Sequence, residues 1–280
     1  MRFDVTPELR LFGDSVRAAI GDWEAVREPE LASWLDDRDD ELAVRLAAVG
    51  WHELWAGDEV GAIVAGGLEL GRAVAPICLV DEATLGAPLA LDGRIRHGHE
   101  SETCAVPSSG WSLALGRPTG ARRHEQTLDG TGTVVASIDD TAALDPDEAD
   151  ARWSAWTAAT LAYLAGLAAA AFDAAVAHAR SREQFGRALS TMPAVQARLA
   201  DAALLVDGLE LSTWQAATPT DFERAPALFW AGAACRDVTA SAHQVHGAIG
   251  FALETGLHRY FRRAKAVQVW AAAVCRATTS

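Results

Sequence analysis

Two short stretches decide how this chain folds: SREQFG at residues 181–186 and QVHGAIGF at residues 244–251. The first ends a long alanine-rich segment, and the second separates two later segments whose apolar residues recur at helical spacing. Both contain glycine, which permits a sharp change of chain direction. The two stretches therefore lie where predicted helices end and the chain turns.

The composition indicates a helical protein with a large packed surface. Of the 280 residues 50% are hydrophobic, and the mean hydropathy of +0.06 favours extensive helix packing or a large subunit interface. The net charge is −14 and no basic stripe is present, so we expect no nucleic-acid binding.

The sequence also predicts a cytoplasmic protein without a membrane span. No apolar run is expected to approach the ~20 residues that cross a bilayer, and the start, MRFD, lacks the pattern of a signal peptide. The four cysteines, Cys78, Cys104, Cys235 and Cys275, are scattered without C-x-x-C spacing. We expect them to be buried thiols, neither metal ligands nor disulfides.

The first part of the chain, residues 1–92, is predicted to be a helical domain. Thr6 and Pro7 mark a helix start, as a hydroxyl cap followed by proline at the first helical position. A second helix follows a charged stretch and ends at Gly50. Residues 57–67 are rich in glycine and are interpreted as a loop before a helical segment, LELGR, at residues 68–72.

Residues 93–150 have strand-like alternation, and residues 151–280 return to helical spacing. Strands are predicted at 102–106, 111–115 and 131–138, separated by Gly, Pro and Asp turns. A helix of about 45 Å is predicted from 151 to 180, followed by helices that start at about 193, 226 and 255. Four long helices with short connections favour an antiparallel four-helix bundle.

The two turn segments resemble the R-x-x-F-G and Q-x-x-G-G segments of the acyl-CoA dehydrogenase C-terminal domain. The resemblance continues in MPAVQARLAD at 192–201 and in ETGLHRYFRRAK at 254–265, the latter like a variant found in actinobacteria. It implies a mainly α fold: an N-terminal helical domain, a reduced β segment and the C-terminal bundle. The part that usually begins the family's middle β-domain has no counterpart, so this domain is expected to be truncated.

The resemblance implies that the two segments bind FAD across a subunit interface. The residues expected to contact the cofactor are Arg182, Gln184, Phe185, Gln244, Val245, Gly247 and Ala248. The guanidinium fork of Arg182 suits a pyrophosphate, although an arginine at a helix end is also a common partner of the helix dipole. Ala248 stands where the family has its second glycine. His246 is interpreted as a turn histidine.

Both family positions for the catalytic base lack a carboxylate in this chain. The usual glutamate position, after the RRAK segment, corresponds to Ala271, and the alternative position on the long helix corresponds to Trp156. The family reaction removes an α-proton from the acyl-CoA while a hydride leaves the β-carbon, so it requires a general base. No catalytic residue and no metal ligand is assigned to this chain.

The leading hypothesis is a subunit of a heteromeric acyl-CoA dehydrogenase, an α₂β₂ assembly in which a partner supplies the base. Its substrate would be an acyl-CoA, such as a bulky or steroid side-chain CoA ester. A first alternative is a stand-alone dehydrogenase with a relocated base such as Glu254. A second alternative is a flavin-free scaffold or regulatory subunit.

Overall fold

The structure is a computed structural model that describes residues 6–21, 40–56, 60–96, 101–126, 132–218 and 222–279. Its elements follow the predicted order of helices, sheet and helices. The N-terminal part contains helices α1 (Pro7–Ile20), α2 (Asp40–Ala48), α3 (Val60–Arg72) and α4 (Cys78–Leu85). The predicted start of α1 is confirmed, because the Thr6 hydroxyl accepts a hydrogen bond from the Leu9 amide at 3.4 Å.

The interpretation of residues 57–67 as a glycine loop is wrong from residue 60 onward, and residues 57–59 lie outside the described residues. Residues 60–67 belong to α3, whose Gly67 and the later Gly71 pack closely against α5 (Pro146–Ser181). A Cβ on Gly71 would lie 2.0 Å from the Tyr163 carbonyl oxygen, and one on Gly166 would lie 2.0 Å from that of Leu68. The two helix backbones therefore touch, and only glycine fits at both places.

The central part of the chain is a five-stranded antiparallel sheet in the order β1-β2-β5-β4-β3. Its strands are β1 (Ala90–Leu91), β2 (Arg94–Arg96), β3 (Cys104–Ser108), β4 (Ser112–Gln126) and β5 (Gly132–Ala143). The three predicted strands correspond to β3, β4 and β5, of which β4 and β5 are longer than expected. Strands β1 and β2 were missed, because two or three residues carry too little alternation to show a period.

The C-terminal bundle consists of α5, α6 (Pro193–Ala216), α7 (Arg224–His246) and α8 (Leu257–Thr279). A two-residue hairpin, β6 (Glu183–Gln184) with β7 (Arg187–Ala188), separates α5 from α6. The predicted mainly α fold with a reduced β segment and a C-terminal four-helix bundle is confirmed. The predicted domain boundaries after residues 92 and 150 stay a prediction. The nearest element starts are those of β1 at Ala90 and α5 at Pro146.

Helix α5 is the central core element. Its tryptophans Trp153 and Trp156 are fully buried, and most of its residues up to Ala168 are buried as well.

Helix α5 is also long and apolar enough to cross a membrane, with a mean hydropathy of 1.6 over an 18-residue window. The expectation that no apolar run reaches this length was therefore wrong. Because 67% of that window is buried within the fold, the length and composition are weak evidence for a span.

The four cysteines are free and buried, as predicted. Burial raises the pKa of the Cys104 and Cys275 thiols to about 11, and it raises the pKa of Cys78 and Cys235 further. These thiols are therefore protonated at neutral pH and are poor nucleophiles.

Candidate functional site

The first turn segment forms a tight hairpin at the end of α5. The Arg182 amide donates to the His178 carbonyl at 2.8 Å, which closes the last helical turn, and Arg182 itself is extended. Phe185 and Gly186 occupy the two turn positions with φ of 54° and 75°, which is the conformation of a type I′ hairpin turn. A phenylalanine at positive φ is strained, and here its side chain is 91% exposed.

The second turn segment ends α7 and starts a short 3₁₀ helix (Gly247–Phe251). Gly247 caps α7 with φ of 66°, and its amide donates to the His243 carbonyl. A Cβ on Gly247 would meet no atom within 4 Å. Glycine is therefore favoured at this position by the backbone conformation, and not by lack of space.

The structure brings the two turn segments together around one open cavity of about 540 Å³. All seven residues predicted from the sequence line it: Arg182, Gln184, Phe185, Gln244, Val245, Gly247 and Ala248. Five further residues complete the lining: His178, Leu189, Val195, His246 and Ile249. His178 was missed, yet it lies in the last turn of α5, and its carbonyl accepts the hydrogen bond of the Arg182 amide.

The cavity favours an anionic ligand. Its ionisable lining residues are Arg182, His178 and His246, and in the described part of the chain no carboxylate lines it, although the net charge is −14. Burial lowers the pKa of His178, and the nearby His246 and Arg182 lower it further. Arg182 is exposed and can present its guanidinium fork to a phosphate group.

The two residues that the resemblance places at the base positions are buried in the core. Ala271 is 2% exposed and Trp156 is fully buried. The indole Nε1 of Trp156 donates to Asp81 Oδ1 at 2.9 Å. The Arg96 guanidinium forms a bidentate pair with the same carboxylate, with Nε 2.7 Å from Oδ2. The carboxylate nearest to Trp156 is thus already occupied by its own partners.

Two further tryptophans contact members of this cluster of Asp81, Arg96 and Trp156. The Arg96 guanidinium carbon lies 5.2 Å from the centroid of the Trp270 ring, within cation–π range. Trp153 packs edge-on against Trp156, with their ring centroids 5.4 Å apart. Glu254, the candidate for a relocated base, lies in the exposed 3₁₀ turn Leu253–Thr255. It lines neither this region nor the cavity of the turn segments.

A second cavity, of about 320 Å³, lies between the sheet and α8. Its lining combines acids, cations and apolar groups: Leu91, Asp92, Arg94, Glu125, Thr133, Lys265, Ala266, Val269, Trp270 and Ala273. Arg94 and Glu125 pair with each other at 3.4 Å. Because both charge signs are present and partly paired, this cavity has no clear preference for an anion.

The chain is similar in sequence to known proteins over its C-terminal part. The family model described as acyl-CoA dehydrogenase, C-terminal domain, matches residues 156–271. A 3-sulfinopropanoyl-CoA desulfinase of Paraburkholderia xenovorans is 39% identical over 100 residues, which are 34% of this chain and 26% of that protein. The short-chain specific acyl-CoA dehydrogenase of Bos taurus mitochondria is 35% identical over 107 residues, which are 36% and 26% of the two chains.

The similarity to solved structures extends over nearly the whole chain. Butyryl-CoA dehydrogenase from Megasphaera elsdenii superposes with a TM-score of 0.79 at 16% identity, covering 97% of this chain and 96% of that one. The ChsE4–ChsE5 complex from Mycobacterium tuberculosis gives 0.73 at 23% identity, covering 97% and 95%. A variant of the Tcur3481–Tcur3483 steroid ACAD gives 0.74 at 21% identity, covering 97% and 96%.

These comparisons define a chain with the acyl-CoA dehydrogenase fold. The predicted resemblance is confirmed, because residues 156–271 match the family model of the acyl-CoA dehydrogenase C-terminal domain. In sequence, the chain spans about a quarter of the length of the curated relatives it matches.

Proposed function

We propose that this chain is a cytoplasmic subunit of a heteromeric, FAD-dependent acyl-CoA dehydrogenase. It binds the adenosine diphosphate part of FAD at a subunit contact, and a partner in an α₂β₂ assembly supplies the catalytic base. The reaction is the α,β-desaturation of an acyl-CoA thioester. The observation that carries the proposal is the cavity lined by all seven residues that the sequence associates with FAD.

The lining fits the diphosphate and the adenosine of FAD. Arg182 would bind the diphosphate through two parallel hydrogen bonds, and the side-chain amides of Gln184 and Gln244 would add further donors. The backbone at Gly247 and Ala248 is exposed at the end of α7, where a ligand can approach it closely. Phe185 and Val245 provide apolar contact surface. When bound, FAD accepts the hydride that leaves the β-carbon of the acyl group.

Exposed apolar side chains beside the cavity support a partner subunit at this surface. Phe185 is 91% exposed, Phe251 71% and Ile249 55%. A contiguous group of exposed large apolar residues is characteristic of an interaction surface. A companion chain that covers them would enclose the cofactor between two subunits. Two structural neighbours, the ChsE4–ChsE5 complex and the Tcur3481–Tcur3483 steroid ACAD, consist of paired proteins, which supports a heteromeric assembly and a bulky, steroid-derived acyl group.

The buried residues at the base positions support the assignment of the base to the partner. A general base must reach the α-proton of the substrate through a free carboxylate. Here the methyl side chain of Ala271 has no acceptor atom. The Asp81 carboxylate pairs with the Arg96 guanidinium and accepts a hydrogen bond from the Trp156 indole. The indole rings of Trp153 and Trp156 pack against each other in the interior. This chain therefore contributes architecture and cofactor contacts to the reaction.

The proposal is tested by co-expressing the chain with the dehydrogenase encoded beside its gene and measuring flavin in the purified complex. Arg182→Ala should weaken FAD binding about 10- to 100-fold, because it removes charge-assisted bonds worth about 1.5–3 kcal/mol. Arg187→Ala is the matched control, because Arg187 is exposed in the same hairpin but does not line the cavity.

The outcomes separate the alternatives. A yellow complex that loses FAD with Arg182→Ala and keeps it with Arg187→Ala supports the proposal. Flavin content that is unchanged by both substitutions favours the scaffold, and chains that never associate contradict the assembly. A stand-alone enzyme would reduce a dye with acyl-CoA in the absence of any partner and would lose that activity with Glu254→Gln.

A further inference from the structure

Two histidines in the wall of the cavity stack on each other. The ring centroids of His178 and His246 are 4.1 Å apart, and the ring planes are inclined by 23°. His178 lies in the last turn of α5, four residues before Arg182, and His246 is the last residue of α7. Both line the cavity together with Arg182, so three nitrogen-bearing side chains share one part of its surface.

The hydrogen bonding of His246 fixes where a further proton can bind. Its Nδ1 lies 2.9 Å from the Ala242 carbonyl oxygen. A carbonyl oxygen only accepts hydrogen bonds, so Nδ1 carries the hydrogen and the neutral ring has an unprotonated Nε2. The ring can donate a second hydrogen bond, for example to a phosphate oxygen, only after Nε2 takes up a proton.

The groups that face the pair disfavour protonation in the absence of an anion. Burial lowers the pKa of His178, and His246 and Arg182 lower it further; His243 on α7 is a further histidine near His246. The hairpin, the start of α6 and the loop after α7 contribute Gln184, Phe185, Leu189, Val195 and residues 247–249 to the lining, with no carboxylate among them. On α8 the nearby ionisable group is His258, whose interactions are with His243, Arg259 and Arg262. A bound anion would supply the missing negative charge.

We propose that His178 and His246 bind the diphosphate of the ligand together with Arg182, and that the pair takes up about one proton on binding. One proton is expected because two adjacent imidazolium rings would repel each other. The inference rests on the proposed function, since it assumes a diphosphate-bearing ligand in this cavity.

The expected pH dependence follows from the direction of the shifts. In the free protein the pKa of His178 is lowered, so this ring is neutral at neutral pH, whereas a bound diphosphate raises its pKa. Affinity should therefore be highest below the pKa of free His178 and should fall as pH rises through the pKa of His178 in the bound state. Within that window the dissociation constant changes by up to about tenfold per pH unit.

The test is FAD binding to the flavin-stripped complex, measured by calorimetry and flavin fluorescence between about pH 6 and about pH 8. FAD is a suitable probe because its diphosphate bridge keeps the same charge over this range. The wild-type complex should bind FAD at least about threefold more tightly at the lower pH, with a binding enthalpy that depends on the buffer because a proton is taken up. Riboflavin, which lacks phosphate, should show no such dependence.

Substitutions assign the effect to the pair. His178→Phe keeps a flat ring in the stack but cannot titrate, so the pH dependence of FAD binding should be reduced at least threefold and the affinity at the lower pH should fall. His124→Gln, at an exposed position of strand β4, is the control and should leave the pH dependence of FAD affinity unchanged. If His178→Phe and the wild type have the same slope, the inference is wrong.

Two readouts keep the failures apart. FAD binding without any pH dependence would contradict the role of the pair and leave the proposed function intact, whereas no FAD binding at any pH would contradict both. If His178→Phe does not fold, the imidazole signals of the wild-type complex can be titrated by NMR. The apparent pKa of the pair should rise by at least one unit with FAD, about a tenfold change in proton affinity, and an unchanged value would overturn the inference.

Discussion

At the scale of single residues, Asp81, Arg96 and Trp156 form a closed polar cluster in the core. Asp81 is fully buried and Arg96 is 2% exposed. The Asp81 carboxylate forms a bidentate pair with Arg96 and also accepts a hydrogen bond from the Trp156 indole. A buried pair of this kind contributes little relative to apolar residues of the same volume, but removal of one partner leaves a buried charge without compensation. The cluster thus holds the interior in one arrangement.

We expect Asp81→Asn to lower the free energy of unfolding by about 3–5 kcal/mol, because the Arg96 guanidinium would stay buried without its counter-ion. Asp14→Asn serves as the control, since Asp14 pairs with Arg17 at 3.0 Å on the surface, with both side chains 62% exposed. Its loss should cost about 0–1 kcal/mol. Urea denaturation of the two variants compares the costs, and equal losses would contradict a structural role of the buried pair.

The residues of the candidate site could be predicted from the sequence because they belong to two local segments. Arg182 and Gln244 are far apart in the chain, yet each lies in a segment that the resemblance to the acyl-CoA dehydrogenase motifs identifies, and the structure brings both segments to one cavity. Their role in FAD binding stays a prediction. The stacking of His178 on His246 could not be read from the sequence, because it depends on how the ends of α5 and α7 meet.

At the scale of elements, the crossing of α3 over α5 is set by glycine. Gly71 and Gly166 each face the backbone of the other helix so closely that a Cβ would overlap a carbonyl oxygen. The sequence showed a cluster of glycines, and the loop interpretation failed because a glycine-rich segment suits both a loop and a helix that packs backbone to backbone. The choice between them depends on the neighbouring helix.

We predict that Gly71→Ala lowers the free energy of unfolding by about 1–3 kcal/mol or more, because the added methyl group forces the two helix backbones apart. Gly13→Ala is the control on α1, where a Cβ would be 3.7 Å from Ala65 in ordinary contact. That substitution should be neutral or stabilise by up to about 1 kcal/mol through helix propensity. Thermal denaturation of both variants gives the comparison, and a fully stable Gly71→Ala protein would contradict the close crossing.

At the scale of the whole molecule, α6 leaves apolar surface open. Among its 24 residues the buried ones are Ala202, Leu209, Thr213 and Trp214. Leu204 and Leu211, seven residues apart and therefore on one face, are 71% and 42% exposed. Trp230 of α7 lies over Gly208 beside them and is also exposed. The high hydrophobic content predicted extensive helix packing or a large subunit interface, and this exposed face supports the proposed assembly of several subunits.

We propose that the chain binds the cofactor at the end of the bundle where the two turn segments meet. The most direct test is photolabelling of the complex with FAD that carries an azide on its adenine ring, followed by mass spectrometry of the labelled peptides. We predict that the label attaches to this chain, in the segment 182–189 or the segment 244–249, and that excess FAD prevents it. A label found on the partner alone would contradict the central claim.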